Sequence, residues 1–211
     1  MESSVQEKMD SKDWDTRYKS ADNIWSLTPN EYVAQYLEHL PTGSMIDLAG
    51  GEGRNALWFA SRGWQVENVE FSKVALGKYA DRAIEMDLLE NCKATHADVT
   101  EDIQYALHNV DLGVIAYLHI DSTGLANAIQ SLVSNIKPGG TFFGIWHARE
   151  NLVDGYGGPQ DPEVIPTKEA VQEALVKSGI SGASIELKER QVIVGTDVKV
   201  AIDLVVLAVK Q

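Results

Sequence analysis

The stretch Met45-Ile-Asp-Leu-Ala-Gly-Gly-Glu-Gly-Arg-Asn-Ala56 constrains this chain more than any other. A short apolar run contains an acid, Asp47. Three glycines follow, Gly50, Gly51 and Gly53, and residues 55–62 then read as an amphipathic segment. That order predicts a buried strand feeding a tight turn into a helix. Glycines let a ligand lie against the backbone, and the start of the helix offers N–H groups with no partner of their own. A nucleotide-like molecule is the usual occupant of such a turn.

Charge narrows the choice of ligand. Gly51-Glu-Gly53-Arg-Asn-Ala56 also fits a dinucleotide pattern. A pyrophosphate is anionic, and a carboxylate beside it would repel it. Asp47 and Glu52 are expected to face a ligand that is cationic there. S-adenosylmethionine carries a sulfonium and an ammonium and no phosphate, so the sign of the loop favours it over NAD.

The rest of the composition agrees. The 211 residues fit one domain, and 44% hydrophobic content is enough for a substantial core. With 31 acids against 18 bases the net charge is −13. Nucleic acid and anionic membrane surfaces are therefore excluded as partners, since both are bound mainly by positive charge. The polar start of the chain does not read as a signal peptide, and no apolar run reaches membrane-spanning length. The single cysteine, Cys92, excludes an internal disulfide and a cysteine-rich metal site. A cytoplasmic monomer or homodimer is the expectation, with no metal.

Strand and helix patterns alternate along the chain. Strands are expected at 44–49, 65–70, 93–97, 111–117 and 141–147. Helices lie between them, capped by Ser72, by Asp121 or Ser122, and by Thr167. Pro138-Gly-Gly140 is expected to end the helix before the fifth strand. Residues 183–194 and 199–209 read as two long strands joined at Gly195-Thr-Asp197. Such alternation implies an α/β fold with a parallel sheet, helices on both faces and an antiparallel edge. Ligands of these sheets bind outside the carboxyl ends of the strands.

Candidate site residues stand at those ends. Glu70, in Asn68-Val-Glu-Phe-Ser72, suits the two hydroxyls of a ribose. Asp98 suits the adenine amino group, with the Val99 backbone N–H for a ring nitrogen. Backbone carbonyls around Ala116 and Tyr117 suit an ammonium, and Tyr117 and His119 line the side facing a second substrate. His119 or His147 is available to take a proton from an acceptor.

This series of elements, ending in Ile136-Lys-Pro-Gly-Gly140, resembles a class I S-adenosylmethionine-dependent methyltransferase over roughly residues 14–209. The piece Trp14-Asp-Thr-Arg-Tyr18, with Trp25, Pro29 and Asn30, is similar to the lead segment of the thiopurine and tellurite-resistance-like methyltransferases. The resemblance implies a single-domain Rossmann-like sheet of seven strands, order 3-2-1-4-5-7-6, with the last strand antiparallel. It implies an aromatic lid of Trp14, Arg17, Tyr18 and Trp25 on the donor, although Trp14 also reads as a core anchor of an N-terminal helix. Further donor contacts are implied at Asp47, Gly50, Gly51, Gly53, Asn55, Glu70, Phe71, Ser72, Asp98, Val99, Ala116 and Tyr117, with S-adenosylhomocysteine as product. Tyr117, His147, Arg149, Tyr156 and Gln160 are the candidates for contact with a small-molecule acceptor.

The organisation that follows is a disordered tail over 1–12 and one domain over 13–211. Within it lie a lid with helices over 13–43, a donor-binding core over 44–147, a substrate-side loop over 148–166, and a helix with a terminal hairpin over 167–211. Two other functions fit the same motifs. One is a non-catalytic S-adenosylmethionine-binding regulatory protein, the other an NAD-dependent oxidoreductase.

Overall fold

The structure, a computed structural model, describes residues 10–24 and 26–211. Its strands are β1 (Ser44–Leu48), β2 (Gln65–Glu70), β3 (Cys92–His96), β4 (Val110–Ala116), β5 (Ile136–His147), β6 (Ala183–Val194) and β7 (Asp197–Val209). Its helices are α1 (Ser11–Lys19), α2 (Glu31–Leu37), α3 (Arg54–Ala60), α4 (Lys73–Glu85), α5 (Ser122–Asn135), α6 (Asn151–Asp154) and α7 (Lys168–Lys177). The strands form one sheet of order β3-β2-β1-β4-β5-β7-β6. The first five strands are parallel, and β7 runs antiparallel between β5 and β6. This is the seven-stranded order that the resemblance implied. The chain winds outward from β1 through β2 to β3, then restarts on the other side at β4. The carboxyl ends of β1 and β4 therefore flank the crevice where ligands of such sheets bind.

Successive strand residues point to opposite faces, and both faces are covered. Ile46, Ile115, Phe142 and Trp146 pack with Leu125, Ile129 and Leu132 of α5 and Leu175 of α7. On the other face, Met45, Val114, Phe143 and Val205 meet Val33 and Leu37 of α2, Phe59 of α3 and Tyr79 of α4. Caps fix where the helices start. Ser72 Oγ accepts from Ala75 N, Asp121 Oδ1 from Gly124 N, and Thr167 Oγ1 from Ala170 N.

Five local differences from the sequence reading stand out. Residues 11 and 12, expected in a disordered tail, belong to α1, because their N-cap Asp10 closes a reciprocal capping box with Asp13. Strand β5 begins at Ile136, not at 141. The Gly139 N–H donates to the Lys210 carbonyl and the Lys210 N–H to the Gly140 carbonyl, so the Pro-Gly-Gly segment joins the sheet as a bulge. Tyr117 lies just beyond β4 and has a φ of 60°. The loop at 148–166 contains α6 and a single 3-10 turn, Pro162–Val164. At the terminal hairpin Val194 pairs with Asp197, leaving Gly195-Thr196 as a two-residue turn.

Candidate active site

The glycine turn is built to leave no room. A Cβ on Gly50 would lie 2.1 Å from Asn68 Oδ1 and 2.8 Å from the Asp47 carboxyl group. Gly53 ends the turn in the left-handed region (φ 75°) and starts α3. Behind the turn, Asp47 is fully buried, and neither of its carboxylate oxygens has a hydrogen-bond partner among the described residues. Asn68 Oδ1 is equally unpartnered, while the Asn68 amide donates to the Gly51 carbonyl. Burial pushes the Asp47 carboxyl group up to about 7, against the smaller downward pull of the Ala56 N–H, which nears it without closing a hydrogen bond of ordinary geometry, and of the Arg54 guanidinium.

Glu70 reaches the same turn. Its Oε2 accepts from Gly51 N at 3.0 Å and its Oε1 from Ser72 N at 2.9 Å. One lone pair on each oxygen is thus engaged by the backbone, and burial raises its proton affinity. Ser72 also ties α1 to the site, because its hydroxyl donates to Asp15 Oδ1 at 2.5 Å. The Phe71 carbonyl meets the His96 ring at 2.9 Å. Asp98 Oδ1 accepts from both Thr100 N and Thr100 Oγ1, and Val99 is buried in the core.

The N-terminal segment straps across the turn. Lys78 Nζ of α4 donates to the carbonyls of Tyr18 and Ala21 and to Glu52 Oε1. Glu52 Oε2 in turn accepts from Ile24 N at 3.1 Å. The expectation that Glu52 faces a cationic ligand is therefore corrected: this buried acid holds the strap, and Asp47 is the acid left for a ligand. Trp14 and Tyr18 form a ring pair at 5.7 Å, with Arg17 5.0 Å over Trp14. Trp25 lies outside the described residues.

Two residues close the gap between strap and sheet. Asn55 Oδ1 accepts from Asn30 N at 3.0 Å, and the Asn30 amide donates to the Tyr117 hydroxyl at 3.2 Å. Arg54, which the sequence reading did not single out, is drawn toward Tyr117 and Asp47 while burial weakens its hold on its proton. Its place directly after the last glycine was the available signal.

The structure brings Tyr117, His119 and His147 together. The Tyr117 and His147 rings are 5.0 Å apart, and those of His119 and His147 5.2 Å. Two residues of the hairpin join them. The Tyr117 hydroxyl donates to Asp203 Oδ2 at 2.9 Å, and Arg190 Nε donates to the same oxygen at 2.7 Å. In sequence Asp203 is one polar residue in the apolar part of β7, and Arg190 is one of several in the polar run Lys188-Glu-Arg-Gln191 of β6. The remaining acceptor candidates lie elsewhere. Arg149 donates to the Ile165 carbonyl and lines a separate cleft of about 240 Å³ between α5 and α7. Tyr156 is 41% exposed, and the exposed Gln160 contacts only nearby loop carbonyls among the described residues.

Comparison with known proteins supplies context for this geometry. Residues 45–140, from β1 into β5, match the family model described as a methyltransferase domain. No curated protein matches the chain. Among solved structures, one described for conversion of a disulfide bond into a thioacetal group during echinomycin biosynthesis is 16% identical. It covers 95% of this chain and 91% of its own, with a TM-score of 0.72. TehB from Haemophilus influenzae is 15% identical, over 95% of this chain and 67% of its own, with a TM-score of 0.68. The glycopeptide N-methyltransferase MtfA, solved with S-adenosyl-L-methionine, is 16% identical over 87% and 88%, with a TM-score of 0.61. The chain shares its fold with these proteins, and the glycine turn and the ends of β1, β2 and β4 fall inside the matched methyltransferase-domain segment.

Proposed function

We propose that this protein transfers a methyl group from S-adenosylmethionine to a small-molecule acceptor. The observation that carries the reading is Asp47, a fully buried carboxylate with two unpartnered oxygens behind a glycine turn at the switch point of the sheet. Such a group is held ionised by a cation and is made worse by a pyrophosphate. The match of residues 45–140 to a methyltransferase domain supports the same reading.

In this reading the glycine turn carries the donor against its backbone, and Asp47 faces its positive end. Glu70 has a second lone pair on each oxygen for the ribose hydroxyls. The strap through Trp14 and Tyr18 forms the lid, with aromatic faces that suit a sulfonium. The donor supplies a carbon already activated by positive sulfur. The protein's work is to align the acceptor with that carbon and to exclude water.

Titration calorimetry with S-adenosylhomocysteine and, separately, with NADH tests the assignment. Heat for the first and none for the second is expected. The reverse result establishes the oxidoreductase. Donor binding without release of S-adenosylhomocysteine across a broad acceptor panel favours the regulatory protein.

A further inference from the structure

Four strands deliver side chains to one place on the acceptor side. Tyr117 and His119 follow β4, His147 ends β5, Arg190 comes from β6 and Asp203 from β7. His147 and Asp203 are direct cross-strand neighbours, so their side chains stand on the same face of the sheet. Tyr117 holds a left-handed backbone, which is costly for a bulky residue and concentrates at functional sites. Asp203 is fully buried. Its Oδ2 takes the Tyr117 hydroxyl and Arg190, whereas Oδ1 has no partner among the described residues.

One arrangement of the histidine protons satisfies these contacts. His119 Nε2 faces His147 Nδ1 at 3.4 Å. The other side of His119 meets the Tyr117 backbone, in a contact that favours a proton on the ring. With Nδ1 of His119 as donor, its Nε2 is the acceptor of a neutral imidazole. His147 Nδ1 then carries the shared hydrogen, and His147 Nε2 keeps a free lone pair. Burial lowers the proton affinity of both rings and keeps them neutral. Gly158 lies flat against the His147 ring, where an added Cβ would be 2.7 Å from two ring carbons.

We infer that His147 Nε2 receives the proton of the acceptor, that His119 and Asp203 are its positioning residues, and that the acceptor is a neutral protic nucleophile. A thiol, a phenol or an N–H heterocycle fits; a preformed anion does not. The inference rests on the methyl-transfer reading above. The acceptor heteroatom bonds to the methyl carbon while the carbon–sulfur bond breaks, its electron pair staying on sulfur. The proton leaving the heteroatom passes to His147 Nε2 and then to water. The imidazolium so formed is faced by Asp203 from β7, which favours it, and by Arg190 from β6 and His119, which oppose it. Neutral Tyr117 completes the surroundings.

Two measurements on the whole protein test this. Long-range nitrogen–proton NMR of the ligand-free protein is expected to show both histidines as Nδ1–H tautomers. An Nε2–H tautomer at His147 overturns the assignment. Release of S-adenosylhomocysteine is then measured with benzyl mercaptan, phenol, imidazole, iodide and tellurite as acceptors, beside calorimetry of S-adenosylhomocysteine binding. Turnover is expected with protic acceptors and not with the two anions. His147→Ala is expected to lose about 10²–10⁴-fold in turnover while its product Kd stays within about twofold. Asp203→Asn is expected to move the acid limb of the pH profile to lower pH, a shift that a purely structural role would not give. Equal turnover of iodide or tellurite, or no turnover of any protic acceptor, overturns the acceptor class. Absence of product-binding heat in the unmodified protein instead sinks the methyl-transfer reading, while the tautomer result stands apart from it.

Discussion

Glu52 on the glycine turn and Lys78 of α4 form an ion pair at 3.0 Å, with the glutamate 1% and the lysine 21% exposed. Each also holds the N-terminal strap, Lys78 by two carbonyls and Glu52 by the Ile24 N–H. Removing one partner leaves the other charge buried and frees the strap. Lys78→Met is expected to destabilise the protein by about 2–3 kcal/mol, below the full cost of a broken buried pair because the lysine is partly solvated. Denaturant titration reads the loss. Limited proteolysis should show earlier cleavage within residues 10–30.

Gly50 and Gly77 make a matched pair of opposite sign. The first has no space for a side-chain carbon, whereas an added Cβ at Gly77 in α4 meets nothing within 4 Å. Gly50→Ala should cost about 1–3 kcal/mol and abolish product-binding heat. Gly77→Ala should raise stability by about 0.5–1 kcal/mol and leave binding unchanged. Melting temperature and calorimetry on both variants decide the point. Stable, binding-competent Gly50→Ala would contradict the account of the turn.

Asp47 makes the ligand-free protein sensitive to pH in an unusual direction. Its carboxyl group is raised to about 7 by burial, from 3.8. Between those values the native state keeps the proton and the unfolded state does not. Its contribution is therefore complete below about pH 4 and is lost as pH rises through about 7, amounting to on the order of 4 kcal/mol. Asp47→Asn removes this slope, so the variant should gain on the parent as pH rises. Binding of a cationic donor should also release about one proton near pH 6 and almost none near pH 8, measurable in buffers of different ionisation enthalpy.

Glu67, buried in β2, organises the long connection before β4. It accepts from Thr95 Oγ1 at 2.6 Å, Ala106 N at 2.8 Å and Leu107 N at 2.7 Å. Glu67→Leu leaves two backbone donors without acceptors and should cost about 2–4 kcal/mol. Amide exchange at residues 106 and 107 should accelerate more than at the centre of β1.

What is legible in the sequence depends on how local each signal is. The turn between Asp47 and Ala56 and the caps at Ser72, Asp121 and Thr167 are local, and they stand where the sequence placed them. Tyr117, His119 and His147 could be listed together because each falls at the end of a strand. Asp203 and Arg190 could not, because only the pairing of β7 with β5 and β6 brings them to the site. The start of β5 is hidden in the sequence for a similar reason, since Gly139 and Gly140 pair with Lys210, about seventy positions later. The charge of Glu52 was misassigned because its partner, Lys78, lies one helix away.

The place of β7 between β5 and β6 bears on how the chain is made. As the polypeptide leaves the ribosome, β5 emerges with one edge unpaired, and β6 has no neighbour to lie beside. Both must wait for β7, so the β5–β7–β6 edge of the sheet closes only once residues 197–209 are available. During that interval β5 and β6 offer bare backbone to any passing strand, which makes chaperone binding to nascent chains stalled before residue 197 the expected observation.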